Sequence, residues 1–193
     1  MKRSASAILL SVGAAVPAYA HAGSNSPTSF VAGLLHPVSG LDHVAVMIAI
    51  GAWSAAKGGR AIWAWPLAFM SIMLIGGAVG ILHVPLPLAE SGIIASVLSL
   101  GLLLVLAVDL PVSAGAAVVS VFALIHGHAH GTEIPEDVSG ILYLVGLSAA
   151  TAVLLSIGIA ALRVVDQTSG RRIVRFFGAG CTTLGLSLLS SLL

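Results

Sequence analysis

Long apolar runs, almost free of charge, recur along most of this chain and restrict its fold more than any other feature. Six of them, at about 38–56, 61–82, 88–108, 111–130, 138–162 and 173–193, have the roughly 20 residues an α-helix needs to cross a bilayer. Inside lipid the backbone must satisfy its own hydrogen bonds, so such runs read as helices. Composition agrees: 58% of the 193 residues are hydrophobic and 8% are charged, where a soluble domain carries roughly a quarter charged. The expected fold is all-α, a polytopic membrane protein of six transmembrane helices forming one domain over residues 21–193.

Residues 1–20 read as a cleaved signal peptide. Lys2 and Arg3 precede an apolar stretch from Ala5 to Val16, and Ala18-Tyr19-Ala20 is a small-x-small cleavage site. The apolar stretch is short for a span, and Pro17 sits where a cleavage region breaks its helix. The mature chain then begins at His21 on the outside. Farther on, His36-Pro37 should divide Ser29–Ala56, because a residue before proline avoids helical geometry. Val31 to Leu35 would lie along or dip into the outer interface.

Charge tests the orientation. With His21 outside, the first and fifth loops face the cytoplasm. Lys57 and Arg60 fall in the first; Arg163, Arg171, Arg172 and Arg175 lie in or beside the fifth. With Lys2 and Arg3 these are all 8 basic residues, and none is on an outer loop, as the positive-inside rule requires for a bacterial inner-membrane protein. Trp53, Trp63 and Trp65 flank the first cytoplasmic loop, where an aromatic belt would sit. Gly76-x3-Gly80 and small-residue faces on the third and sixth spans permit close helix packing. The two sets of three spans show no convincing mutual similarity, so an inverted repeat is not inferred.

The polar residues are one-sided. All 7 histidines fall in the outer half, with Asp42, Glu90, Glu133, Glu136 and Asp137; only Asp109 and Asp166 belong to the cytoplasmic side. Ionisable groups inside a membrane are expensive, so retaining several on one side points to function. In His36-Pro37-Val38-Ser39-Gly40-Leu41-Asp42-His43, the two histidines would stand about 10 Å apart on a continuous helix, too far for one ion. His36 would then lie at a mouth and Asp42/His43 deeper. Asp42, a carboxylate about one turn inside an apolar span, has no basic partner in any outer segment.

In His126-Gly127-His128-Ala129-His130-Gly131-Thr132-Glu133, His126 and His130 are i,i+4, about 6 Å apart on one face, a chelating spacing. His128 points away from both. Gly131 could end the helix and let Glu133 turn back toward His130. Glu90, at the outer start of the third span, reads as a helix-dipole charge or a pathway residue, and the missing outer base favours the pathway. Glu136 and Asp137 read as helix-start charges and His83 as an interface residue. Met47, Phe69, Met70 and Met73 read as packing. His21 offers an α-amine and a ring nitrogen if cleavage exposes it.

The single cysteine, Cys181, excludes disulfides and thiolate clusters. Imidazoles with carboxylates suit divalent nickel, cobalt, zinc or copper, and fit magnesium, calcium or cuprous copper poorly.

His36-Pro37-x-x-Gly40-x-Asp42-His43 followed by His126-Gly127-x-Ala129-His130-Gly131-x-Glu133 resembles the HupE/UreJ family of hydrogenase and urease accessory membrane proteins, and the likeness runs the length of the chain. Ile125 departs from it, since the family often has an aromatic there; packing rather than ligation should change. The histidine-x5-Asp-His pattern also looks like that of the larger nickel/cobalt transporters, whose size this chain does not match. The resemblance implies a nickel permease of the inner membrane, with His36, Asp42, His43, His130 and Glu133 in functional positions and His126 beside them.

The expected function is passage of nickel from periplasm to cytoplasm for assembly of hydrogenase or urease, with Asp42, His43, Glu90, His130 and Glu133 lining a path where the first, third and fourth spans meet. His21 and His128 are lesser candidates. Nickel, with cobalt as a second choice, is cargo rather than a retained cofactor, and no catalytic residue is assigned. Lipid is the other partner; a homo-oligomer is compatible with the sequence. No nucleotide-binding motif or soluble domain is present, so neither nucleotide nor nucleic acid is expected. The rival is a membrane-embedded hydrolase retaining zinc or another ion to activate water, though HExxH is missing. A metal sensor or metallochaperone would lack a soluble domain to signal or deliver with.

Overall fold

The computed structural model describes residues 27–87, 89–135, 138–164 and 167–191. The signal-peptide residues, His21, Glu136, Asp137 and Asp166 lie outside the described residues. Among the described residues the structure is helical throughout: α1 (Pro27–Leu35), a 3-10 turn (His36–Ser39), α2 (Leu41–Lys57), α3 (Ala61–Ile81), α4 (Ala89–Val105), α5 (Val112–Thr132), α6 (Gly140–Arg163) and α7 (Gln167–Ser190).

Each apolar run thus becomes a helix, but length separates them. α3, α5, α6 and residues Arg172–Ser190 of α7 are long and apolar enough to cross a membrane. The segment through α1 and α2 qualifies only as a broken span, bent by 84°. α4 is apolar but has 17 residues, about 25 Å of helix against about 30 Å of hydrocarbon. It stops because Ala107 takes a left-handed conformation, φ 52°, before Pro111. Among the described residues, four helices, or five spans with the bent pair, are therefore long and apolar enough to cross.

Large hydrophobic side chains such as Leu67, Ile75, Val121, Ile141, Val153 and Phe176 are exposed, so the exterior is as apolar as the core. In lipid, apolar burial gives no net drive between helices, and close backbone packing must supply the cohesion. The helices accordingly associate in glycine-rich pairs. A Cβ at Gly127 would run into the Met73 carbonyl, one at Gly131 into Gly77, and one at Gly76 into Leu124. These contacts ascend both helices together, so α3 and α5 lie parallel with backbones touching. α2 and α6 pair through Gly51 and Gly158, α1 and α6 through Gly33 and Gly146, and α4 and α7 through Gly101, Gly178 and Gly185. The small-residue faces expected on the third and sixth spans meet each other.

Two of the three tryptophans are not belt residues. Trp53 and Trp65 are buried and stacked on each other with centroids 4.4 Å apart. Their indole N–H groups donate to the carbonyls of Val108 (3.4 Å) and Val112 (2.8 Å), pinning the α4–α5 turn. A buried indole needs such a partner. Trp63 is exposed, with the Arg60 guanidinium 5.9 Å from its ring centroid. Lys57 pairs with Asp109 across the same end of the bundle. The basic residues Lys57 and Arg60 and the histidine cluster thus occupy opposite ends of α2.

Candidate metal centre

The break between α1 and α2 builds one wall of the site. Pro37 starts the 3-10 turn, and the Ser39 hydroxyl donates to the His36 carbonyl at 2.6 Å. Gly40, extended at φ −112° and ψ 119°, turns the chain into α2. A Cβ there would stand 2.7 Å from Asp42 Oδ1 and 2.8 Å from His43 Nδ1. Gly40 therefore leaves room for the Asp42–His43 pair, in which His43 Nδ1 donates to Asp42 Oδ1 at 3.1 Å. The continuous-helix separation of His36 and His43 does not apply. With the chain bent, both rings contact His130, at centroid distances of 4.9 Å and 4.4 Å.

The other wall is the last two turns of α5. His126 and His130 are both fully buried. The sequence suggests that Gly131 ends the helix, but α5 continues through Thr132, and Gly131 sits instead where α5 touches the Gly77 backbone of α3. Glu133 is the C-cap residue, its N–H donating to the Ala129 carbonyl at 3.2 Å. Its carboxylate reaches His36, accepting from Nε2 at 2.9 Å. That hydrogen bond holds the Glu133 carboxyl below its ordinary range, against the opposing effect of partial burial.

His36, His130 and Glu133 each offer a ligand atom within 4.8 Å of the other two. Two imidazoles and a carboxylate at that separation suit a borderline divalent ion. Both His130 nitrogens, His43 Nε2 and His126 Nδ1 are buried without a hydrogen-bond partner. Such orphaned groups cost about 1–3 kcal/mol each in a folded protein, which a ligand would recover.

Other candidates fall elsewhere. His128 is turned away, its Nε2 donating to the Val84 carbonyl at 2.7 Å. Glu90 is exposed in the first turn of α4 and is not in the converging group. A first-turn glutamate complementing the helix dipole accounts for that position. His83 is exposed, at φ 53° just beyond α3. Met47, Phe69 and Met73 are core residues, as expected, with the Phe69 ring 6.5 Å from that of His126.

Two residues escaped sequence reasoning. Tyr143 of α6 lies 5.5 Å from the His36 ring, its buried hydroxyl unpartnered. Ser96 of α4 is fully buried and bonded to His126 at 2.8 Å. Each stands in a run of small or apolar residues, and only the partner, remote in sequence, marks it.

Buried imidazoles beside more exposed carboxylates, at one end of a bundle of lipid-compatible helices, define a multi-pass membrane protein with a candidate transition-metal centre. The chain matches the family described as HupE / UreJ protein over residues 8–188 and belongs to it. Protein HupE of Rhizobium leguminosarum bv. viciae is 41% identical over 174 residues, which cover 89% of this chain and 90% of that protein. No solved structure matches the chain.

Proposed function

We propose that the protein is a nickel permease of the bacterial inner membrane that carries Ni2+ from the periplasm to the cytoplasm for hydrogenase or urease maturation. The observation that carries this reading is the convergence of His36, His130 and Glu133 where α1, α5 and the broken α1–α2 segment meet. Family membership supports it. Residues 1–20 act as a cleaved signal, the six helices α2–α7 cross the membrane with α4 as a short span, and the histidine end faces the periplasm. The basic end then faces inward, in keeping with the positive-inside rule.

In this reading His36 and Glu133 meet the incoming ion first, and His130 completes the group. Asp42 acts through His43, holding its ring so that Nε2 carries the lone pair. Cobalt fits the same donors. The hydrolase alternative gains nothing from the site, because Glu133 and Asp42 are both engaged by imidazoles and neither stands free as a general base. The test is Ni2+ uptake into proteoliposomes. Asp42→Asn, expressed normally, should transport at least tenfold more slowly, and an undiminished rate would sink the assignment.

A further inference from the structure

We propose that a second, inner metal position lies between His43 and His126, one helical turn below the His36–His130–Glu133 group, and that Ser96 is the positioning residue that prepares it. The proposal deepens the permease reading and rests on it for its place in transport.

A single proton decides the tautomer of His126. The Ser96 hydroxyl donates to the Ile93 carbonyl at 2.6 Å. A hydroxyl has one hydrogen to give, so toward His126 Nε2, 2.8 Å away, the same oxygen can only accept. His126 must then carry its proton on Nε2, and its lone pair sits on Nδ1. That atom is fully buried and unpartnered.

Asp42 imposes the complementary choice on His43. Its carboxylate accepts a hydrogen bond from Nδ1–H, and His43 Nε2 is left as a buried, unpartnered lone pair. The His43 and His126 rings meet edge to face, 4.9 Å apart at 88°. Both tautomers are thus fixed by neighbours on separate helices, α4 and α2, and both present a nitrogen that can bind a metal and bonds to nothing else. His130, unpartnered at both nitrogens, touches His36 on one side and His43 on the other. Its ligand atom converges with those of the outer group, so the inner position is itself a pair, His43 and His126.

The two positions differ in chemistry. The outer one includes the Glu133 carboxylate, an oxygen donor that accepts hard ions as readily as borderline ones. The inner one offers imidazole nitrogen alone, with Asp42 standing behind His43. Magnesium and calcium prefer oxygen and hold their water, so an all-nitrogen position rejects them. Divalent nickel, cobalt, zinc and copper are the ions that exchange water for imidazole readily. The inner position is therefore the selective step, and Ser96 acts on it through the His126 tautomer.

The test uses the full chain in nanodiscs, with Ni2+ as probe in equilibrium dialysis and X-ray absorption reporting imidazole scattering. His36→Ala takes one donor from the outer group and leaves His43, His126 and His130 in place. It should still bind one Ni2+ with imidazole ligands, and excess Mg2+ should not displace it. Adding Ser96→Ala should weaken that remaining site about tenfold or more, the usual cost of losing a residue that orients a ligand. Ser96→Thr, which keeps the hydroxyl, should restore it to within about threefold.

Failure of the His36→Ala protein to bind Ni2+ would overturn the proposal. So would an unchanged affinity in Ser96→Ala, or equal losses in Ser96→Ala and Ser96→Thr at an unaltered thermal midpoint. Binding is read without flux. Wild-type vesicles that move no Ni2+ would therefore refute the permease reading and leave the inner position standing.

Discussion

A single methyl group added at Gly127 should disable a metal site it does not touch. Gly127 is the point where α5 rests on α3. An alanine Cβ there would stand 2.8 Å from the Met73 carbonyl carbon and 2.9 Å from its Cα, and nearer still to the oxygen. Ordinary contact begins at 3.4 Å, and backbone cannot rotate aside as a side chain can. The helices must part by roughly 1 Å, an overpacking that costs about 3 kcal/mol. Alanine's better helix propensity returns about 1 kcal/mol, leaving a net destabilisation of about 2 kcal/mol. For a protein of this size that lowers the thermal midpoint by about 4–8 °C.

The larger consequence is positional. α5 carries His126 and His130 on the same two turns, and ligands tolerate displacements of only about 0.5 Å. Ni2+ affinity in nanodiscs should fall about tenfold or more while most of the protein stays folded. Gly180→Ala is the matched control, since a Cβ at this α7 position meets nothing within 4 Å. It should leave binding intact and stabilise by up to about 1 kcal/mol. A Gly127→Ala protein with wild-type midpoint and affinity, or a Gly180→Ala protein equally damaged, would refute the close-approach reasoning.

Two further outcomes follow from the opposite end of the molecule and from the site's acid. Trp65→Phe removes the hydrogen bond to the Val112 carbonyl and some buried ring volume; stability should drop by about 2 kcal/mol with Ni2+ affinity unchanged, and a matching loss of affinity would contradict the separation of the two ends. Glu133, its carboxyl held low by His36, favours the folded state above its unfolded-state value and loses that contribution only as pH falls through the lowered folded value. It therefore stays ionised in mild acid and keeps its charge available to the ion there. Glu133→Gln should weaken Ni2+ binding at neutral pH about tenfold, and an unchanged affinity would refute the reading.

The positions of the helices were legible because lipid permits so little else. Six apolar runs became α2–α7 within a few residues at most ends, the exception being α7, which begins at Gln167 in a polar stretch that no hydropathy argument would include. That polar residues gather at one end of the bundle was legible from their one-sidedness in the sequence. Their arrangement was not, since it depends on a bend at Gly40 whose direction is set by the packing of α1 against α6, through Gly33 and Gly146. His36-Pro37 marks a division in the sequence, but a division alone sets neither the 84° bend nor its direction, and so not the approach of His36 and His43 to one His130 ring. Glu90 stands apart from that group, since in the fold its place is an exposed first turn of α4.

The second motif reconciles two demands made on one helix. His126 and His130 repeat at i,i+4, and so do Gly127 and Gly131, displaced by one residue. One residue on an α-helix is a rotation of about 100°, so the glycine stripe and the histidine stripe occupy neighbouring faces of α5. The glycine stripe locks against α3 by backbone contact, which permits neither rotation nor sliding of α5 without collision. The azimuth and height of both imidazoles are thereby fixed from behind, while Ser96 and the broken segment adjust them from the front. A metal site in lipid cannot rely on apolar burial to hold its helices in register. Interleaving the ligands with the packing residues gives the site its rigidity from the same few residues that give it its chemistry.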